Sequence, residues 1–156
     1  MIDLGKLNNK QLEAVRQTEG PLLILAGAGS GKTHALTYRI AWLLQNYVHP
    51  FNILAITFTN KAAREMRSRI VTLDPLGDQV WVSTFHSACV RILRREVHHY
   101  GYDNKFNIID ADDGEKLIKT CIKDLNINDK QYPARSVMSY ISKMKDELLN
   151  YEDALQ

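Results

Sequence analysis

The run Ala26-Gly27-Ala28-Gly29-Ser30-Gly31-Lys32-Thr33 constrains this chain more than any other feature, because it demands a tight turn between an apolar segment and a helix. Ahead of it stands Pro21-Leu22-Leu23-Ile24-Leu25, a stretch of the kind that forms a buried parallel strand, predicted over residues 22–26. Behind it Leu36, Ile40, Leu43 and Tyr47 recur at helical spacing, which predicts a helix over residues 32–47. Three glycines let backbone N–H groups turn inward around a polyphosphate, and the helix N-terminus adds the positive end of its dipole. Lys32 can then reach β- and γ-phosphates, and the Thr33 hydroxyl can hold Mg²⁺. The general loop pattern opens on glycine where this chain has Ala26, and a small residue still fits the turn. A glycine-rich turn with no ligand leaves Lys32 and Thr33 unexplained.

Strand and helix signals alternate around this loop. Asn8 followed by Gln11 forms a capping pair for a short helix through Gln17. His49-Pro50 ends the helix after the loop, and residues 52–58 read as a second buried strand. Asn60 can cap a helix through about Val71, and Asp74-Pro75-Leu76-Gly77 is a turn. Residues 80–83 read as a third strand, followed by a helix over 86–99 with Cys89, Ile92, Leu93 and Val97 on its apolar face. Such alternation predicts an α/β fold, a parallel sheet with helices on both faces and ligands at the carboxyl ends of its strands. Segments 27–33, 58–61 and 84–87 all follow strands and are expected along one edge.

The texture changes from residue 106. Phe106-Asn107-Ile108-Ile109-Asp110 reads as a short fourth strand. Two helical stripes follow, Leu117, Ile118, Cys121, Ile122 and Leu125, then Val137, Ile141, Met144 and Leu148, separated by Tyr132-Pro133. Residues 151–156 look like the opening of a further helix. The expected division is therefore 1–109 and 110–156.

Charge divides similarly: residues 1–105 carry 13 Lys and Arg against 8 Asp and Glu, and residues 106–156 carry 7 against 10. A basic first part suits a nucleic-acid surface there. Cys89 and Cys121 form no C-x-x-C pair, so neither a disulfide framework nor a zinc site is expected, and both read as core thiols of a reducing compartment. The first residues lack an apolar signal region, and no run approaches the roughly 20 apolar residues that span a bilayer. A cytoplasmic protein without a membrane partner is expected.

Together these segments resemble the superfamily 1 DNA helicases of the UvrD/PcrA/Rep group. Leu7-Asn8-Asn9-Lys10-Gln11 resembles the Q motif, residues 26–33 resemble motif I including its alanine, residues 56–66 resemble motif Ia, and Val82-Ser83-Thr84-Phe85-His86-Ser87 resembles motif Ib. The resemblance implies a RecA-like P-loop NTPase domain, incomplete here, followed by the start of an all-helical inserted subdomain. It implies ATP and Mg²⁺ as cofactors. Gln11 would read the adenine edge, while Ala26, Gly27, Ala28, Gly29, Ser30, Gly31, Lys32, Thr33 and His34 would surround the nucleotide. Lys32 and Thr33 would be catalytic, with Thr33 on Mg²⁺. Single-stranded DNA would lie on Phe58, Thr59, Asn60, Lys61, Thr84, Phe85 and His86, with Phe58 stacking on a base. The other candidates are plainer. His86 has no partner ligand at metal-binding spacing, His98-His99 reads as helix-end polarity, and Arg91, Arg94 and Arg95 read as a solvated helix face. Where the group places arginine after Lys-Thr, this chain has His34, whose imidazole can also stack on a base but lacks the fixed charge.

The hydrolytic groups are not all in view. Phosphoryl transfer needs a carboxylate for Mg²⁺, a second to orient water and an arginine on the transferring group. The only Asp-Glu pair, Asp146-Glu147, falls in an amphipathic helix and not after a buried strand. The resemblance thus implies the N-terminal part of a 3′-to-5′ helicase of several hundred residues, acting on single strands and single-strand/duplex junctions in DNA repair or replication in a bacterial cytosol. Alone this part is expected to bind ATP without hydrolysing it. An open sheet edge would make it marginally stable or self-associating. A stand-alone nucleotide-dependent DNA-binding module and a small P-loop kinase are the alternatives.

Overall fold

Side-chain caps set where most helices begin. The Asn8 side chain accepts from Gln11 N while Gln11 Oε1 accepts from Asn8 N, so a reciprocal capping box opens α1 (Asn9–Arg16) as the sequence predicts. Gly31, in the left-handed region at φ +84°, precedes α2 (Lys32–Gln45). Thr59 Oγ1 accepts from Ala62 N and caps α3 (Asn60–Leu73), one residue before the predicted cap at Asn60. Thr84 caps α4 (Phe85–Glu96), and Asp110 caps α5 (Ala111–Asp124). The last α-helix, α6 (Ala134–Asp146), follows Pro133. The computed structural model describes residues 2–46 and 48–155, so Tyr47 of the predicted α2 stripe lies outside the described residues. The chain divides after Asn104 into two units.

The first unit is mixed α/β. Among the described residues its sheet has two strands, β1 (Leu54–Thr57) and β2 (Trp81–Thr84), parallel and joined through α3. Leu54 stands opposite Trp81, and Thr57 opposite Thr84. Side chains alternate across the pleat, so Ala55 and Val82 are buried while Leu54 and Trp81 share the other face. Ala55 and Val82 join Ile40 and Leu44 of α2 and Met66 and Ile70 of α3 in the main core. The opposite side of α2, Tyr38 and Ala41, meets Val15 of α1 in a second cluster. Buried on two sides, α2 therefore carries few charges. Gly77, in the short 3₁₀ turn before β2, is placed so that a Cβ would lie 2.5 Å from Ile70 Cγ2 and 2.9 Å from the Ile70 backbone carbon. Backbone cannot give way as a side-chain tip can, so Gly77→Ala is expected to destabilise the chain by about 1–3 kcal/mol. Urea unfolding should show a lower midpoint with an unchanged m-value.

Three expectations fail here. Residues 22–26 form no strand, and Leu23 and Leu25 are 79% and 85% exposed. A strand exists only through its ladder, and neither β1 nor β2 pairs with this segment. Residues 106–110 are likewise irregular, with Ile108 and Ile109 exposed, because no neighbouring strand completes them. Cys89 and Cys121 are free and exposed, not core. The residues buried beside them are Ala88 in α4 and Ile122 in α5, one position from each thiol.

In the second unit α5 and α6 pack together. Gly114 of α5 meets Met138 of α6, where an added Cβ would stand 3.4 Å from Sδ, within ordinary contact. Glu115 fastens the pair, accepting from Lys119 Nζ at 2.7 Å and Arg135 Nε at 2.9 Å. The hydrogen bond from Lys119, then that from Arg135, holds the Glu115 carboxyl below its ordinary value of 4.5. A depressed folded-state pKa gives stability that is present above the unfolded value and lost as pH falls through the folded one. Glu115→Gln is therefore expected to lower the thermal midpoint at neutral pH, with the gap to the parent closing in acid below that ordinary value. α6 ends at Asp146, and Leu148 follows in the left-handed region at φ +59°, so the predicted stripe is broken before its last member.

Candidate nucleotide and nucleic-acid site

The loop before α2 is shaped by its own backbone. Ser30 N and Oγ both donate to Gly27 O, at 3.4 and 2.7 Å, closing a turn over Gly27-Ala28-Gly29-Ser30. Gly29 and Gly31 have φ of +75° and +84°, which L-residues adopt only under strain. Glycine is required at these two positions, whereas no neighbouring packing requires it at Gly27. Lys32 arches back over the loop and its Nζ donates to Ala26 O at 2.8 Å and Gly27 O at 2.6 Å. The ammonium thus stands at the loop mouth, and Thr33 is exposed in the first helical turn beside it.

Gln11 joins this loop to α1. Its Oε1 takes Asn8 N in the capping box, and its Nε2 donates to Ser30 O at 3.1 Å. Capping and a place beside the loop therefore hold together, as one amide has both a donor and an acceptor end. Gln11, Ser30, Gly31 and Lys32 line a cavity of about 180 Å³ whose far wall is Ile24 and Leu25. A second tie fixes α1 against α2, since Arg39 Nη1 donates to Ala14 O at 2.6 Å and to Gln17 O at the carboxyl end of α1. His34 is half-buried with its ring 4.5 Å from that of the buried Tyr38, so its imidazole has a fixed seat.

The second group of expected residues collects at the carboxyl ends of the strands. Thr57 and Thr84 are register partners, so the next residues, Phe58 and Phe85, are brought side by side with ring centroids 5.6 Å apart. Phe58 is 89% exposed and Phe85 49%, an unusual position for two phenyl rings. Thr57 Oγ1 donates to Thr59 O, and Thr84 Oγ1 accepts from Ser87 N and donates to Ser87 Oγ. Thr59 and Thr84 therefore shape the two corners through capping, and Thr84 is buried. Asn60, Lys61 and His86 are exposed beside the rings. Next to them a cavity of about 240 Å³ is lined by Asn60, Arg64, Thr84 and Ser87. Arg64 was not singled out by the sequence reading, although its i+4 spacing from Asn60 puts both on one helix face. The described contacts of the glycine loop run to α1, not to the aromatic corner.

The family model for the UvrD/REP helicase N-terminal domain matches residues 7–156. The ATP-dependent DNA helicase PcrA of Bacillus subtilis (strain 168) is 51% identical over 152 residues, 96% of this chain and 21% of that protein. PcrA of Staphylococcus aureus (strain Mu50) is 53% identical over 155 residues, 97% of this chain and 21% of its own length. PcrA of Staphylococcus epidermidis is 53% identical over 152 residues, again covering 21% of that protein. The chain spans about a fifth of the length of these curated relatives. The matched region contains the capping box, the loop and both aromatic corners, and the chain belongs to the UvrD/REP helicase family.

Proposed function

We propose that this chain is the ATP-binding and single-stranded-DNA-binding N-terminal part of an ATP-dependent 3′-to-5′ DNA helicase that acts in DNA repair or replication. The observation that carries the reading is the exposed Phe58–Phe85 pair at the carboxyl ends of parallel strands, in a chain that also holds a lysine-tipped glycine loop. Residues 1–109 are the first part of a RecA-like motor domain with helices on both faces of its sheet, and 110–156 begin a helical insertion. A partner in the cytosol is single-stranded DNA, alone or at a junction with duplex.

The residues present fit ATP and Mg²⁺. Lys32 can leave the Ala26 and Gly27 carbonyls for phosphate oxygens, which are stronger, charged acceptors. Backbone N–H groups of Gly29 and Gly31 would serve a phosphate, Ser30 N being held by Gly27 O; Gln11 and His34 would flank the base, and Thr33 would offer a hydroxyl to the cation. When bound, ATP supplies the phosphoryl group whose transfer drives a motor. Phe58 and Phe85 stack on bases without sequence preference, while Asn60, Lys61, His86 and the amino ends of α3 and α4 take phosphates. Hydrolysis needs carboxylates and an arginine beyond these, so the chain alone binds ATP without turning it over. The exposed Leu22, Leu23 and Leu25, an apolar segment outside the sheet, support self-association of the chain.

Titration with a fluorescent ATP analogue and, separately, with labelled oligo(dT), alongside a steady-state ATPase assay, tests the reading. Saturable binding of both with negligible turnover is expected. DNA-stimulated hydrolysis by this chain alone would overturn it.

A further inference from the structure

A cavity of about 600 Å³ lies at the amino ends of both strands, away from the aromatic corner. Phe51 precedes β1 and Trp81 opens β2, while the second half of α4 supplies Arg91, Ile92 and Arg95. The Arg91 guanidinium sits 4.4 Å from the centroid of the Trp81 ring. A cation on an indole face is held in place while its N–H edge stays open to an acceptor. The neighbouring charges are already matched: Arg67 donates to Asp78 O at 2.7 Å and lies 3.8 Å from its carboxylate, and Arg95 is 3.2 Å from Glu96. Among the described residues no carboxylate pairs with Arg91. Around that unmatched cation Phe51 is 74% exposed and Ile92 46%.

An ordered arginine between exposed aromatic and aliphatic side chains has the composition of a protein–protein contact centre. We propose that this cavity docks a short acidic–apolar peptide segment of a partner protein, one carboxylate meeting Arg91 and an apolar side chain covering Phe51 and Ile92. Charge argues for a peptide over a nucleic-acid strand. Asp78 and Glu96 stand in the lining, where successive phosphates would meet them, whereas a peptide places its negative charge at one point. The same helix that carries Phe85 and His86 at its start carries Arg95 near its end, about 14 Å further along at 1.5 Å per residue. A docked segment thus leaves the aromatic corner free.

The test uses this chain and a fluorescein-labelled peptide of about twelve residues with one aspartate–glutamate pair at its centre, flanked by leucine, phenylalanine and uncharged polar residues. Anisotropy should show saturable binding, weakened at least about tenfold by Arg91→Glu and by Phe51→Ser, the loss of one contact-centre residue. The Phe51 ring is mostly solvent-exposed, so that variant keeps the fold, and an unchanged thermal melt verifies it. Saturating oligo(dT) should not displace the peptide, and a version with lysine at every acidic position should not bind. Absence of saturable binding, an affinity unchanged from the parent in either variant, or displacement by oligo(dT) would overturn the proposal. So would a dimer of the chain, seen by sedimentation, that Arg91→Glu dissolves, since the surface would then belong to a second copy.

Discussion

Lys32→Ala is expected to lower the affinity for an ATP analogue at least about 100-fold, from the loss of charge-assisted hydrogen bonds worth roughly 1.5–3 kcal/mol each. Lys32 is the side chain that reaches across the loop, and its two present acceptors are loop carbonyls. Binding therefore exchanges neutral acceptors for charged ones, a gain the alanine variant forfeits. The loop itself should survive, because Ser30 continues to bond Gly27 O and α2 still begins after Gly31. Thermal melts should accordingly differ by little, separating a binding defect from unfolding. Lys32→Arg should not rescue, since a planar fork does not reproduce a compact ammonium on a flexible stem.

The second large effect concerns the aromatic corner. Phe58→Ala should weaken oligo(dT) binding by about 1–3 kcal/mol, and adding Phe85→Ala should weaken it further. The two rings touch, so their effects should not add in full. Stacking carries no charge, and so the dependence of affinity on salt should keep its slope in both variants. Lys61→Ala should do the reverse, with a smaller loss and a slope shallower by about 0.7, the value for one phosphate contact on a single strand. Equal slopes for all variants would contradict this division of labour.

What could be read from the sequence depended on range. The capping box at Asn8 and Gln11 joins residues three positions apart and was legible, as were β1 and β2, whose apolar runs are short and bounded by turns. Residues 22–26 have the same composition but no ladder, because pairing depends on a neighbour that no local pattern encodes. Periodicity located apolar stripes on α4 and α5, yet could not say which stripe would be covered, so Cys89 and Cys121 were misjudged. At the site, each aromatic corner was legible alone. Their meeting was not, since it follows from the register Thr57 to Thr84. Arg91 on Trp81 was hidden for the same reason, as ten residues and a strand-to-helix corner separate them in the chain.

The central claim is that one unit of this chain carries two distinct sites, one for nucleotide and one for single-stranded DNA. Backbone amide NMR of the labelled chain tests it most directly. Addition of a nonhydrolysable ATP analogue with Mg²⁺ should shift the amides of residues 26–34 and of Gln11. Oligo(dT) should shift those of residues 58–61 and 84–87 and leave the loop unmoved. A single shared set of shifts for both ligands, or no shift at the aromatic corner with DNA, would contradict the account.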